Sequence, residues 1–341
     1  MEEKDFRALL DTKEYEFLKT KSQAGGDRIM LLGLGGSYAY GTNCGTSDID
    51  FRGITLNLPS DLLGLTEFEQ YEDLHTDTVV YSFNKIVKLL LECNPNTIEI
   101  LGLDEEQYLI LPPLGRELLE NRSMFLSKRA AKSFGGYASA QLRRLQNAIA
   151  RDSMPQRERE QHILNSVNHA LEDFQRRYDR FEQGSIRLYI GPSEKPDLET
   201  EIFVDAAYRH LPLREYETMC SIMYKVVKDY DKIGKRNKKK DDNHLNKHAM
   251  HLLRLFMMAI DILERGEIRT KRVKEQELLL KIRNGGFQKE DKTFAPEFYD
   301  LLADYEKRLN QAARDSALPD SPDMKRVEEF VEYVNRKALE V

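Results

Sequence analysis

The chain has 341 residues, 40% of them hydrophobic and 32% charged, which suits about two or three compact units and excludes a disordered chain. Three scattered cysteines (Cys44, Cys93 and Cys220) form neither a disulfide framework nor a paired metal clip, and no apolar run reaches membrane-span length. The net charge of −6 hides an asymmetry: residues 1–112 carry 9 Lys and Arg against 20 Asp and Glu, leaving 43 against 38 for residues 113–341. An acidic first part suits a cation site, and a basic remainder suits a polyanionic substrate. The acidic N-terminus lacks the pattern of a signal peptide, so a cytoplasmic location is the expectation, with no membrane association.

In chain order, residues 5–22 have helical spacing of apolar residues, and Gly25-Gly26-Asp27 ends that pattern. Ile29–Leu34 is short and wholly apolar, as a buried strand is. A glycine-rich turn, Gly35-Gly36-Ser37, then leads into a short helix around Tyr38–Tyr40. Asp50–Leu56 is predicted as a second strand, residues 60–76 as an irregular acidic connection, Thr78–Tyr81 as a third strand and Ser82–Cys93 as a helix. From Pro112 the pattern is mostly helical: 113–152 with a break at Gly135-Gly136, then 157–183, 213–233, 246–265, 273–284, 296–313 and 322–339. Two β-prone runs, Ile186–Ile190 and Glu201–Val204, around a Gly191-Pro192 turn predict a hairpin, and Lys235–Asp242 a charged loop. The expected class is α+β: a small catalytic domain with a mixed sheet over 1–112, then a larger, mostly helical substrate-binding domain with a short β-hairpin over 113–341.

The chemistry concentrates at the glycine turn. A dinucleotide fingerprint needs a third glycine where Tyr38 stands, and a P-loop needs a lysine, yet none occurs between Arg28 and Lys85. A phosphate-binding turn remains, with backbone N–H groups and the Ser37 hydroxyl at a helix N-terminus. Eleven residues after Ser37 come Asp48 and Asp50 with one apolar residue between. In a strand these two carboxylates share a face, and their mutual repulsion is relieved by a bound cation. Arg52 falls on the same face, within reach of a carboxylate or a phosphate.

A second constellation lies on the helix near residue 246. Lys247, His251 and Arg254 fall within an arc of about 60° at helical pitch, opposite Ala249, Leu253, Phe256, Met257 and Ile260. That predicts one core face and one cationic face, suited to phosphate or RNA backbone. His244 and His248 have the spacing of a helical zinc pair, but no third ligand accompanies them.

Gly36-Ser37, a ten-residue gap and Asp48-Ile49-Asp50 resemble the signature of the DNA polymerase beta superfamily of nucleotidyltransferases. Gly36–Gly41, Ser47–Ile54, Asn94-Pro95-Asn96, Ile98–Leu101, Lys247–Arg254 and Ile282-Arg283-Asn284-Gly285-Gly286 further resemble its RNA-repair branch. The resemblance implies transfer of a nucleoside monophosphate from an NTP such as ATP to an acceptor hydroxyl, most plausibly an RNA (tRNA) 3′ end. It implies Mg²⁺, as two ions, with Mn²⁺ as a substitute. Asp48, Asp50 and a third carboxylate would be catalytic and metal-binding. Asp77, at the start of the third strand, is the candidate for that third group, with Glu72 and Asp73 as rivals. Gly36, Ser37, Arg52, Lys247, His251 and Arg254 would bind nucleotide. The same catalytic centre also serves transfer to a protein side chain or a small molecule. A non-catalytic nucleotide-binding or antitoxin-like module is a third reading, less suited to a chain that keeps both aspartates.

Overall fold

The structure is a computed structural model that describes residues 6–20, 25–45, 47–153, 161, 185–194, 200–221, 223–224 and 243–341. The expected helix over 157–183, apart from helical residue 161, and the charged loop 235–242 lie outside the described residues. The class is α+β, as expected, with a mixed five-stranded sheet and helices.

The sheet comprises β1 (Ile29–Leu34), β2 (Phe51–Thr55), β3 (Gln70–Asp73), β4 (Thr78–Ser82) and β5 (Tyr108–Ile110), in the order β3-β4-β2-β1-β5. All six residues of β1 are buried, which is why its sequence is uniformly apolar rather than alternating. β1 pairs antiparallel with β2, and β2 runs parallel to β4. Two edge strands, β3 and β5, went unread in the sequence. β3 is Gln-Tyr-Glu-Asp, exposed on alternate residues, so its polarity reads as loop although it pairs along its length with β4. The acidic connection also holds a short helix, Pro59–Leu63.

Between β1 and β2 lies the single-turn helix α1 (Gly36–Tyr40), ended by Gly41 in the left-handed conformation at φ 72°. α2 (Phe83–Leu91) starts at Ser82, whose side chain accepts from the Lys85 amide, and buries Phe83, Ile86, Val87 and Leu90. Residues 5–22 are not one helix. Phe6–Leu9, Lys13–Tyr15 and Phe17–Thr20 are separate turns, because Thr12 is extended and interrupts the pattern. Even so, Leu10, Tyr15 and Leu18 enter the core with Ile29, Leu32, Phe51 and Val80.

After α3 (Pro113–Glu120), α4 (Arg129–Ser153) runs straight through Gly135-Gly136. Nothing lies near either glycine, so their helix cost is small beside the burial of Ala130, Phe134, Ala138 and Leu145 on the other face. The hairpin forms between β6 (Ser185–Pro192) and β7 (Thr200–Ala207). Gly191 and Pro192 pair within it rather than making its turn. The helices α5 (Asn243–Arg265), α6 (Gln276–Arg283), α7 (Pro296–Asp315) and α8 (Met324–Ala338) follow.

Two compact units result. One combines Met1–Gln141, Ala249–Gly286 and Pro296–Val341; the other holds Leu142–His248 and Phe287–Ala295. The sheet-bearing unit thus extends beyond the expected boundary at residue 112. The reason is packing: Arg254, Thr270 and Arg283 all bond to residues before position 100. The second unit contains the β6–β7 hairpin, with Tyr189 stacked on Phe203 at 5.8 Å. No helix among the described residues is long and apolar enough to cross a membrane.

Candidate active site

Strand pairing builds the site. Leu34 of β1 faces Phe51 of β2, and one step further the Gly35 amide donates to the Asp50 carbonyl at 2.7 Å. The glycine turn and the second aspartate therefore meet at one sheet end. Phe51 is also in register with Thr78 of parallel β4, so Asp50 and Asp77 occupy equivalent positions just before neighbouring strands. Parallel neighbours are about 4.8 Å apart, close enough for the two carboxyl groups to interact.

They do interact. The side chains of Asp50 and Asp77 lie within hydrogen-bonding reach of each other. Burial, then the hydrogen bond and charge of Asp77, push the Asp50 carboxyl up to about 7, with Arg52 opposing and Asp48 reinforcing. The hydrogen bond from Asp50 holds Asp77 below its usual range, and Arg52 assists. Asp50 is the more buried member of the pair. Asp77 itself is in the left-handed region at φ 46°, uncommon for a residue other than glycine.

Asp48 and Asp50 precede β2 rather than lying within it, so strand alternation does not set their directions. Asp48 is exposed, while Ile49 packs against the core and Phe51 is buried. Arg52 bonds the Asp77 carboxylate at 3.2 Å and the Asp77 and Phe51 carbonyls. Of the rivals to Asp77, Glu72 accepts from the Gln70 amide and Asp73 from His75 and Thr76.

Gly36 and Ser37 open α1, half-buried. Gly36 has φ +55°, and a Cβ there would lie 1.6 Å from Asp50 Oδ2. The carboxyl of Asp50 thus lies against the bare Cα of the phosphate-type turn. Gly36→Ala should therefore destabilise the fold by about 2–4 kcal/mol, combining a left-handed alanine with overpacking. Urea unfolding measures this. A loss within about 0.5 kcal/mol, the range of an inert surface change, would show that Asp50 swings away freely.

The helix α5 departs from the expectation of one core face and one cationic face. From Ala249 to Leu263 every residue except His251 is buried. Arg254 is 1% exposed; its Nη1 bonds Glu99 Oε2 at 2.9 Å, and its guanidinium lies 3.6 Å from the Tyr40 ring centroid. Tyr40 donates to Glu99 Oε1 at 2.9 Å, Thr270 donates to the Glu99 carbonyl, and the Arg272 amide bonds the Tyr40 carbonyl. Burial drives the Tyr40 hydroxyl far above its ordinary range, so it stays a donor. The arginine expected to face phosphate is thus an internal charge that anchors α1 through Tyr40. Arg254 Nη2 also meets His251 Nδ1 at 3.1 Å. A guanidinium only donates, so Nδ1 accepts and the imidazole proton sits on Nε2. Lys247 is exposed.

Glu99 and Tyr40 were not anticipated as a pair. The signal was there in Glu99, one carboxylate inside the apolar run Thr97–Leu101, which demands a buried partner.

Against known proteins, residues 10–164 match the family described as RlaP, RNA repair pathway DNA polymerase beta family. This part of the chain is similar to that family. No curated protein matches the chain. The RNA repair pathway DNA polymerase beta family implies a nucleotidyltransferase with an NTP substrate, and polymerase beta relatives typically use divalent metal ions. The chemistry of the donors fits such an ion. Two carboxyl groups this close offer hard oxygen ligands whose mutual repulsion, once both are ionised, a cation would relieve. Among the described residues, no three His, Cys, Asp or Glu side chains converge as a ready-made metal site.

Proposed function

We propose that the protein transfers a nucleoside monophosphate from an NTP to the 3′ hydroxyl of an RNA, releasing pyrophosphate. The observation that carries this reading is the Asp50–Asp77 pair lying against the Gly36 turn at one sheet end. Asp48, Asp50 and Asp77 would hold Mg²⁺, as two ions, or Mn²⁺. When bound, the metal would offset phosphate charge and lower the pKa of the attacking hydroxyl. Ser37 and the first amides of α1 would receive the triphosphate. Asp77 would take the acceptor proton as the acceptor oxygen bonds to the α-phosphorus and the bond to the pyrophosphate oxygen breaks.

Arg52 would steady Asp77 and add positive charge beside the nucleotide. His251 would present its Nε2–H as a donor, with Arg254 fixing that tautomer from behind, and exposed Lys247 would contact phosphate. On this reading residues 1–112 carry the chemistry and the helical remainder selects the acceptor. The family's RNA-repair character supports RNA as that acceptor.

The test supplies each α-³²P-labelled NTP with Mg²⁺ and total RNA. Label should enter RNA with stoichiometric pyrophosphate release. Label in the protein or in a small molecule would reassign the acceptor, and NTP binding without pyrophosphate release would remove the transferase reading.

A further inference from the structure

The segment Gly41–Ser47 joins the two parts of the site, α1 with its glycine turn and the Asp48–Asp50 run. The Gly41 and Thr42 carbonyls, Cys44 Sγ and Ser47 Oγ are tied to α6. Gln276 and Arg283, seven residues apart and so on one face of that helix, reach the segment's two ends. The Gln276 side chain donates to the Gly41 carbonyl. Arg283, 4% exposed, donates from Nη1 to the Thr42 carbonyl at 2.6 Å. From Nη2 it reaches Ser47 Oγ at 3.1 Å and Cys44 Sγ at 3.4 Å. Ser47 Oγ also accepts from the Cys44 amide at 2.9 Å, and the Ser47 amide returns to the Cys44 carbonyl at 2.9 Å. One guanidinium thus closes a turn whose last residue is covalently next to Asp48.

We propose that Arg283 is a positioning residue for the cation site. It touches neither nucleotide nor metal, and it acts by holding Ser47, which sets where the Asp48 carboxylate stands relative to Asp50 and Asp77. A planar fork is required, because one charged group must serve a carbonyl, a hydroxyl and a sulfur in divergent directions. A lysine ammonium keeps the charge and cannot span them. Groups that orient metal ligands typically change metal affinity by about 10–100-fold when altered. The proposal rests on the transferase reading given above.

Mn²⁺ binding to the full chain, followed by electron paramagnetic resonance of free Mn²⁺, tests it independently of turnover. Wild type should bind and Asp50→Ala should not. Arg283→Lys should bind at least about tenfold more weakly while its melting temperature in EDTA stays near that of wild type. Ser47→Ala covers the case in which Arg283→Lys does not fold, and it should weaken binding in the same direction. Combining the two should add little to Arg283→Lys alone, since both act through one hydrogen bond. Wild-type affinity in folded Arg283→Lys, or in Ser47→Ala, would overturn the proposal and leave the transferase reading standing. An absence of Mn²⁺ binding by wild type would overturn both.

Discussion

Asp50→Asn should yield a folded protein whose nucleotidyl transfer falls by about 10³-fold or more, with stability in EDTA at pH 8 above that of wild type. The activity loss follows from removing one anionic ligand at a site where metal assistance contributes several kcal/mol, each 1.4 kcal/mol being about tenfold in rate. The stability gain follows from the raised Asp50 carboxyl. A group with a folded pKa of about 7, above its unfolded value, contributes stability at low pH that is lost as pH rises through 7. Asparagine has no proton to lose, and its amide still donates to Asp77. The wild-type melting temperature should therefore decline between about pH 5 and 8 in EDTA, and the variant's should decline less. Asp77, held low, has the opposite sign and loses its contribution as pH falls, in both proteins. Excess Mg²⁺ at pH 8 should raise the wild type and leave the variant unmoved. Equal transfer by Asp50→Asn would remove this carboxylate from the mechanism, and parallel pH profiles would show that the Asp50 carboxyl is not raised.

Arg254→Met should cost about 3–5 kcal/mol of stability, the usual result of leaving one partner of a buried ion pair behind. Methionine fills much of the volume, so a cavity is not the main cause. Glu99 would keep the Tyr40 hydrogen bond and lose its counter-charge within a site only a tenth exposed. The double variant Arg254→Met, Glu99→Gln should recover at least half of the loss, because the orphaned charge is gone. Urea unfolding of the two single variants and the double variant measures this. A single-variant loss within about 1 kcal/mol, typical of exposed pairs, would mean that water reaches Glu99. If Arg254 instead faced phosphate, as the helical arc suggested, Arg254→Met would change nucleotide affinity with little effect on folding.

The contrast between these residues explains what was legible in the sequence. Asp50 could be read because its position is local: a strand, a turn and a short spacing place it against Gly36. Asp77 could be singled out since a residue entering a parallel strand next to β2 must arrive at the same sheet end. Arg254 was misread because helical pitch gives a direction around α5 and not what covers that direction. The cover comes from Glu99, 155 positions earlier, and from Tyr40. β3 was missed for the reverse reason, since an exposed edge strand need not look hydrophobic. Gly135-Gly136 misled because a propensity cost of about 1 kcal/mol per glycine is small against a buried helix face.

The Glu99 carboxylate also bears on how the chain can be divided. The family match ends at residue 164, yet the counter-charge to Glu99 is Arg254 and the fork that closes the Thr42–Ser47 turn belongs to Arg283. A fragment cut at the limit of family likeness would keep Asp48, Asp50 and Asp77 and leave Glu99 buried without its arginine. Sequence kinship and folding autonomy therefore have different borders in this molecule. Helices α5 and α6 complete the sheet-bearing unit although they lie more than a hundred residues beyond its last strand.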